Sequence, residues 1–179
     1  MSKNILVISA SLRNGSNSDM LADEFMRGAL ESGNKAEKIT LRGKSINFCK
    51  GCLACQKTGK CVINDDMAEI LPKMQQADVI CFASPVYFYD MCGQLKTFLD
   101  RTNPLFPAEY NFTDIYFLIT AADTEQTASE GPLKGLQGWI DCFENAGLKG
   151  VVCGIGAEKP GDVKSMPAMN EAYMFGKKA

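Results

Sequence analysis

Residues 5–19 read ILVISASLRNGSNSD: four consecutive apolar residues, a polar loop, and the start of a helical pattern. A short continuous apolar run is the mark of a strand buried on both faces, the condition met in a parallel sheet. Leu21, Phe25 and Ala29 then recur at four-residue steps, so a helix is expected from about Ser18 to Ser32. Strand, loop and helix make the opening of a βα unit, and the remainder of the chain repeats the pattern.

Lys35–Thr40 (KAEKIT) is a second, weaker strand suited to a sheet edge. Val79–Ser84 (VICFAS), Ile115–Thr120 (IYFLIT) and Val151–Ile155 supply three more. Between them, Asp65 and Asp66 can cap a helix with Met67, Ile70, Leu71 and Met74 on one face, which Pro72 should kink or shorten. Further helices are expected at Gly93–Arg101, Leu133–Ala146 and about Met166–Lys177, with Pro167 tolerated in the first turn of the last. The expectation is an α/β fold: one domain over residues 1–179, with five parallel strands and a cysteine-bearing insertion at about 41–65.

The 179 residues are 46% hydrophobic and 22% charged, with a net charge of −2, as in a soluble globular domain. No basic stripe invites nucleic acid, and no apolar run approaches the roughly 20 residues that cross a bilayer. The N-terminal apolar run is too short for a signal peptide, so a cytoplasmic location is expected. Histidine is absent, which removes mixed cysteine–histidine zinc sites, two-histidine iron centres and histidine-based triads. Chemistry is left to cysteine, carboxylate, hydroxyl or a borrowed cofactor.

Two loops stand where an open parallel sheet binds ligands, beyond the carboxyl ends of its strands. The first, after strand one, holds Ser9, Ser11, Arg13, Ser16, Asn17 and Ser18; seven of the ten residues from 9 to 18 are Ser, Asn or Arg. Opening onto a helix N-terminus, it suits a phosphate-bearing ligand. It carries neither G-x-G-x-x-G nor a P-loop. The second, after strand three, begins Pro85-Val86-Tyr87-Phe88 and offers flat aromatic surface with backbone N–H groups. SASLRNGSNS (9–18) and SPVYFYDMCGQLKTFLDR (84–101) closely resemble the flavodoxin-like NADPH-dependent FMN reductase family. The resemblance implies a flavodoxin-like three-layer sandwich, helices on both faces of a sheet of order 2-1-3-4-5, and bound FMN. Ser9, Ser11, Arg13, Ser16, Asn17 and Ser18 would then hold the phosphate, and Pro85, Val86, Tyr87 and Phe88 the isoalloxazine. A third flavin loop would lie at Ala121 and Ala122, although TAADTEQ (120–126) lacks the glycines common there.

Four of the eight cysteines fall in CKGCLACQKTGKC, residues 49–61, spaced C-x2-C-x2-C-x5-C. Cys49, Cys52, Cys55 and Cys61 could ligate a 4Fe–4S cluster, with Gly51 and Gly59 letting the loop fold tightly. Four-cysteine zinc, and free or oxidised thiols, are the competing readings. Within the resemblance the run matches the iron–sulfur flavoprotein subgroup. Cys81, Cys142 and Cys153 lie in strand or helix patterns and are expected in the core. Cys92 lies near the flavin turn, and core packing is expected there too.

The function implied is that of an FMN-dependent oxidoreductase passing electrons between a reduced carrier, such as ferredoxin, and a small acceptor, with the cluster as relay. FMN takes two electrons as hydride and the cluster passes one at a time, so together they convert between the two. The alternatives are an NAD(P)H-dependent FMN or quinone reductase without a cluster, and a thiol or metal sensor on the same fold. The resemblance also implies a homodimer or homotetramer in which a cluster faces a neighbour's flavin.

Overall fold

Five parallel strands form the centre of the computed structural model, whose described residues are 2–179. Met1, the first residue of the expected domain, lies outside them. The strands are β1 (Asn4–Ser9), β2 (Lys35–Thr40), β3 (Val79–Tyr87), β5 (Asp114–Ala121) and β6 (Gly147–Ile155). They lie in the spatial order β2-β1-β3-β5-β6, and a two-residue β4 (Asp90–Met91) turns back antiparallel on the end of β3. Counting the parallel strands alone, this is the expected order 2-1-3-4-5. The register pairs Val7 with Cys81 and Cys81 with Tyr116, so the central strands end level at one edge.

Alternation along β1, β3 and β5 sends side chains to opposite faces, and each face is covered by helices. Leu6, Ile8, Ile80, Phe82 and Phe117 face α3 (Met67–Gln76), α4 (Gly93–Asp100) and α5 (Glu130–Ile140), which contribute Met67, Met74, Leu95, Phe98 and Leu136. Val7, Cys81, Tyr116 and Leu118 face α1 (Asn17–Glu31) and α6 (Pro167–Lys178), with Leu21, Phe25 and Ala172 between. The result is the expected flavodoxin-like three-layer sandwich. No helix of the described residues is long and apolar enough to cross a membrane.

Pro72 lies inside α3, and the helix continues past it to Gln76 with Met67, Ile70, Leu71 and Met74 buried on the sheet. Three expectations change. The helix expected over 133–146 spans only Glu130–Ile140, and residues 141–146 turn tightly. Cys142 is therefore exposed rather than in the core, and Cys153 is half-buried, whereas Cys81 and Cys92 are buried as expected. β6 begins four residues before its apolar run, at Gly147, and a bulge opposite Ile115/Tyr116 absorbs the irregularity. Gly-Leu-Lys-Gly does not look like a strand in sequence, and pairing with β5 makes it one.

Helices α1 and α6 approach closely enough that a Cβ on Gly176 would stand 1.9 Å from the Phe25 carbonyl oxygen. Gly176→Ala must push the helices apart and is expected to cost about 1–3 kcal/mol, read as a lower midpoint in urea denaturation.

Candidate functional site

The loop from Ala10 to Ser16 joins β1 to α1 at the edge where β3 and β5 also end. Gly15 takes φ +61° with open space around it, which lets the chain turn into the helix. Ser16 is the N-cap: its hydroxyl accepts from the Asp19 N–H at 3.1 Å. The amides of Asn17 and Ser18 have no intrahelical carbonyl to meet and, with the helix dipole, favour an anion.

Not every predicted phosphate residue has its side chain available. The Asn17 carboxamide donates to the Ala157 and Lys159 carbonyls and accepts from the Gly161 and Val163 N–H groups. It therefore clamps α1 to the loop after β6 and offers an anion its backbone N–H. Ser9 is buried, and its hydroxyl donates to Asp19 at 2.6 Å. Burial alone would push the Asp19 carboxyl up, but hydrogen bonds from Ser9 and Lys38 outweigh it and hold it below its ordinary range. Of the other predicted residues, Ser11, Ser16 and Ser18 are buried, with the Ser16 hydroxyl capping α1 beside that of Ser18. Arg13 is exposed and donates to the Glu158 carbonyl at 3.2 Å. Arg42, not anticipated from sequence, donates to the Asn14 side chain and brings a second guanidinium to the loop.

Pro85, Val86 and Tyr87 close β3, and the chain reverses through Phe88 and Tyr89 into β4. Both turn residues have positive φ, 52° and 59°, as a tight type I′ hairpin requires. Aromatic residues in that region are strained, and such strain persists only where surrounding structure enforces it. The Tyr89 hydroxyl donates to Asp123 in the loop after β5, so the second and third predicted flavin loops are joined. That contact, with the charge of Asp123, pushes the Tyr89 hydroxyl up and the Asp123 carboxyl down. On the other side, Gly131 of α5 lies so close that an added Cβ would sit 1.9 Å from the Tyr89 carbonyl oxygen. Tyr87 is half exposed and Phe88 fully exposed. Ala121 is buried at the end of β5, where its carbonyl accepts from Ala157 N–H, and Ala122 is exposed just beyond. Beneath these loops Cys92 caps α4, its N–H donating to the Ser84 hydroxyl and its thiol to the Ala10 carbonyl. Burial pushes that thiol up, which keeps it protonated.

The cysteine insertion leaves β2 at the same edge. It winds through left-handed turns at Gly51, Leu53 and Gly59 around the short helix α2 (Ala54–Thr58). Cys49 and Cys52 are exposed, Cys61 is half-buried and Cys55 is buried. Burial, then the neighbouring Cys61, Cys52 and Cys49, push the Cys55 thiol up. Among the described residues no three Cys, Asp or Glu side chains are gathered as around a single metal ion. A cube with iron at four corners holds its sulfurs further apart than one ion does, and the donor set here is four thiols with no competing imidazole. A cavity of about 350 Å³ lies between this insertion, the first loop and α4, with Leu12, Ile46, Phe48 and Gln94 in its wall.

Arg101, at the end of α4, anchors the insertion, and sequence reasoning passed over it. Its side chain and that of Asp65 are each 1% exposed and pair at 2.7 and 2.9 Å. Burial alone would raise the Asp65 carboxyl, but hydrogen bonds from Arg101 and Asn47 outweigh it and hold it at about 2. Asp65 also caps α3, accepting from Met67 N–H, while Asp66 accepts from Ser45 N–H instead. The one available signal was an acid on the insertion and a base ending a buried helix pattern.

These features define a flavodoxin-like domain whose ligand edge suits a flavin mononucleotide: anion donors at a helix start beside a rigid aromatic turn. The chain belongs to the NADPH-dependent FMN reductase family, whose model matches residues 3–129. An iron–sulfur flavoprotein of Methanocaldococcus jannaschii is 44% identical over 101 residues, covering 56% of this chain and 52% of that protein. One from Archaeoglobus fulgidus is 37% identical over 97 residues, covering 54% and 44%. The chain thus spans about half the length of these relatives. A Bacillus subtilis protein described as an NAD(P)H-dependent FMN-containing oxidoreductase is 30% identical over 89% of this chain and 88% of its own. Among solved structures, an NAD(P)H:quinone oxidoreductase from Methanothermobacter marburgensis superimposes with a TM-score of 0.72 at 20% identity, covering 100% and 94% of the two chains. That likeness shows the shared fold.

Two outcomes follow from this geometry. Gly131→Ala displaces the strained hairpin and is expected to weaken FMN binding about tenfold or more, since overpacking costs about 1–3 kcal/mol. Gly138→Ala, with nothing within 4 Å of its added Cβ, is the control; fluorescence titration with FMN separates the two. Asp65, depressed in the folded state, contributes stability that is full above its unfolded value of about 3.9 and lost as pH falls through about 2. Denaturation across that window should show a loss of roughly 2 kcal/mol that is missing in Asp65→Asn, itself less stable at neutral pH.

Proposed function

We propose that this chain is an FMN-dependent oxidoreductase that passes electrons between a reduced carrier and a small acceptor, with a 4Fe–4S cluster at Cys49, Cys52, Cys55 and Cys61 as relay. The observation that carries this is convergence: the three flavin loops and the four-cysteine insertion leave the same sheet edge, and α4 runs from the ring turn to the insertion. When bound, FMN supplies two-electron chemistry and the cluster one-electron chemistry.

The chain's own part is binding and positioning. Ser11, Arg13, Ser16 and Ser18, with the first amides of α1, neutralise and orient the phosphate. Pro85, Val86, Tyr87 and Phe88 present backbone donors and aromatic surface to the ring, and the Tyr89–Asp123 contact holds that turn against Ala121 and Ala122. No side chain is required as a nucleophile, in keeping with a chain lacking histidine. The proposal includes a cytoplasmic homodimer or homotetramer, supported by Leu12, Phe48, Tyr87 and Phe88 standing exposed on the ligand-edge loops. Reduced ferredoxin is the carrier proposed.

A second reading, an NAD(P)H-dependent FMN or quinone reductase with no cluster, draws on the Bacillus relative that this chain matches nearly end to end. Anaerobic purification followed by a visible spectrum and analysis for flavin, iron, sulfide and zinc decides between them. Flavin with iron and sulfide is expected. Flavin without iron, rapidly reduced by NADPH, replaces the first reading with the second.

A further inference from the structure

Two of the four loop sulfurs accept hydrogen bonds from residues that no flavin loop uses. The Arg101 guanidinium reaches Cys61 Sγ from Nη2 at 3.5 Å, and the Asn103 carboxamide reaches Cys55 Sγ from Nδ2 at 3.4 Å. Both donors stand just beyond the C-terminal end of α4 at Asp100, two positions apart from one another. Arg101 is held there by more than its sulfur contact. It pairs with Asp65 and donates from Nη1 to the Asn47 carbonyl at 2.7 Å. Asp65 in turn accepts from the Asn47 backbone and side chain at 2.9 and 3.2 Å. Asn103 is braced by Gln56 of α2, whose side chain donates to its oxygen at 3.2 Å. One Arg101 nitrogen, Nε, is buried without a partner.

A wholly buried arginine is costly to keep, and removing one partner of such a pair leaves an uncompensated buried charge. The fork geometry satisfies Asp65 with two nitrogens and leaves Nη2 to reach a sulfur as well. N–H donors and positive charge stabilise a cluster's reduced form, which carries one more electron spread over its sulfurs, and so raise its reduction potential.

We propose that Arg101 and Asn103 are positioning residues that raise the reduction potential of the cluster held by Cys49, Cys52, Cys55 and Cys61, acting through Cys61 and Cys55. This rests on the cluster reading above. The helix that delivers both donors starts just after Cys92, beneath the flavin turn, and its eight residues rise about 12 Å. The segment that fixes the ring turn therefore also fixes the polarity around two sulfurs.

The test uses wild type, Asn103→Leu and Arg101→Lys, each reconstituted anaerobically with iron, sulfide and FMN. Cluster content is measured first, then the cluster midpoint by redox titration followed by electron paramagnetic resonance, with the flavin in the same sample as internal reference. Asn103→Leu keeps size and loses the donor; the expected fall is about tenfold in the reduction equilibrium, about 59 mV for one electron. Arg101→Lys keeps the charge and loses the fork; a fall in the same direction is expected. Asn103 is only half-buried, so its variant carries the test if the arginine variant does not fold. Full clusters with midpoints equal to wild type would overturn the inference and leave the cluster reading intact. A wild-type chain that binds FMN but neither iron nor sulfide overturns the cluster reading itself, and this inference with it.

Discussion

A parallel sheet must be covered on both faces, and every covering helix has to return the chain to the same starting side. That constraint places the carboxyl ends of β1, β2, β3 and β5 along one edge. The polar loop after β1, the cysteine insertion after β2, the aromatic hairpin after β3 and the Ala121–Ala122 loop after β5 are thereby neighbours, although they are spread over more than a hundred residues. Local chemistry makes each loop suited to a ligand; the sheet makes them one site.

Within that edge, α4 acts as a strut. Its start is locked under the ring turn, where Cys92 bonds Ser84 and Ala10. Its end is locked to the cysteine insertion, where Arg101 bonds Asp65 and Asn47. A buried ion pair of this kind is weak support for overall stability, since desolvation offsets much of its attraction, but it is a strong determinant of geometry. Much of the insertion is exposed and short of apolar burial, so its path depends on that pair and on its left-handed turns. The strained Phe88–Tyr89 turn is maintained in the same manner, between the Asp123 carboxylate and the close face of α5 at Gly131.

Much of this was legible in the residues. Apolar runs named four of the five parallel strands, and four-residue periodicity named the helices, because burial on both sheet faces leaves little freedom in composition. The density of Ser, Asn and Arg before a helix start pointed to an anion site, and the aromatic run after β3 to a planar ligand. The failures share a cause. Residues 147–150 become strand only by pairing with β5, and α5 stops at Ile140 because the chain must turn to reach that pairing. The Asn17 carboxamide is filled by a loop some 140 positions away, a contact that no local pattern reveals.

By itself, then, the sequence determined the layer architecture, the strand identities and the donor types available at the ligand edge, because these follow from hydrophobic periodicity and side-chain chemistry. Only the tertiary structure decided which donors remain to face a ligand, that Arg101 is buried against Asp65, and that two cysteine sulfurs receive N–H donors from the end of α4. Those are contacts between segments far apart in the chain, and they exist only once packing has brought the segments together.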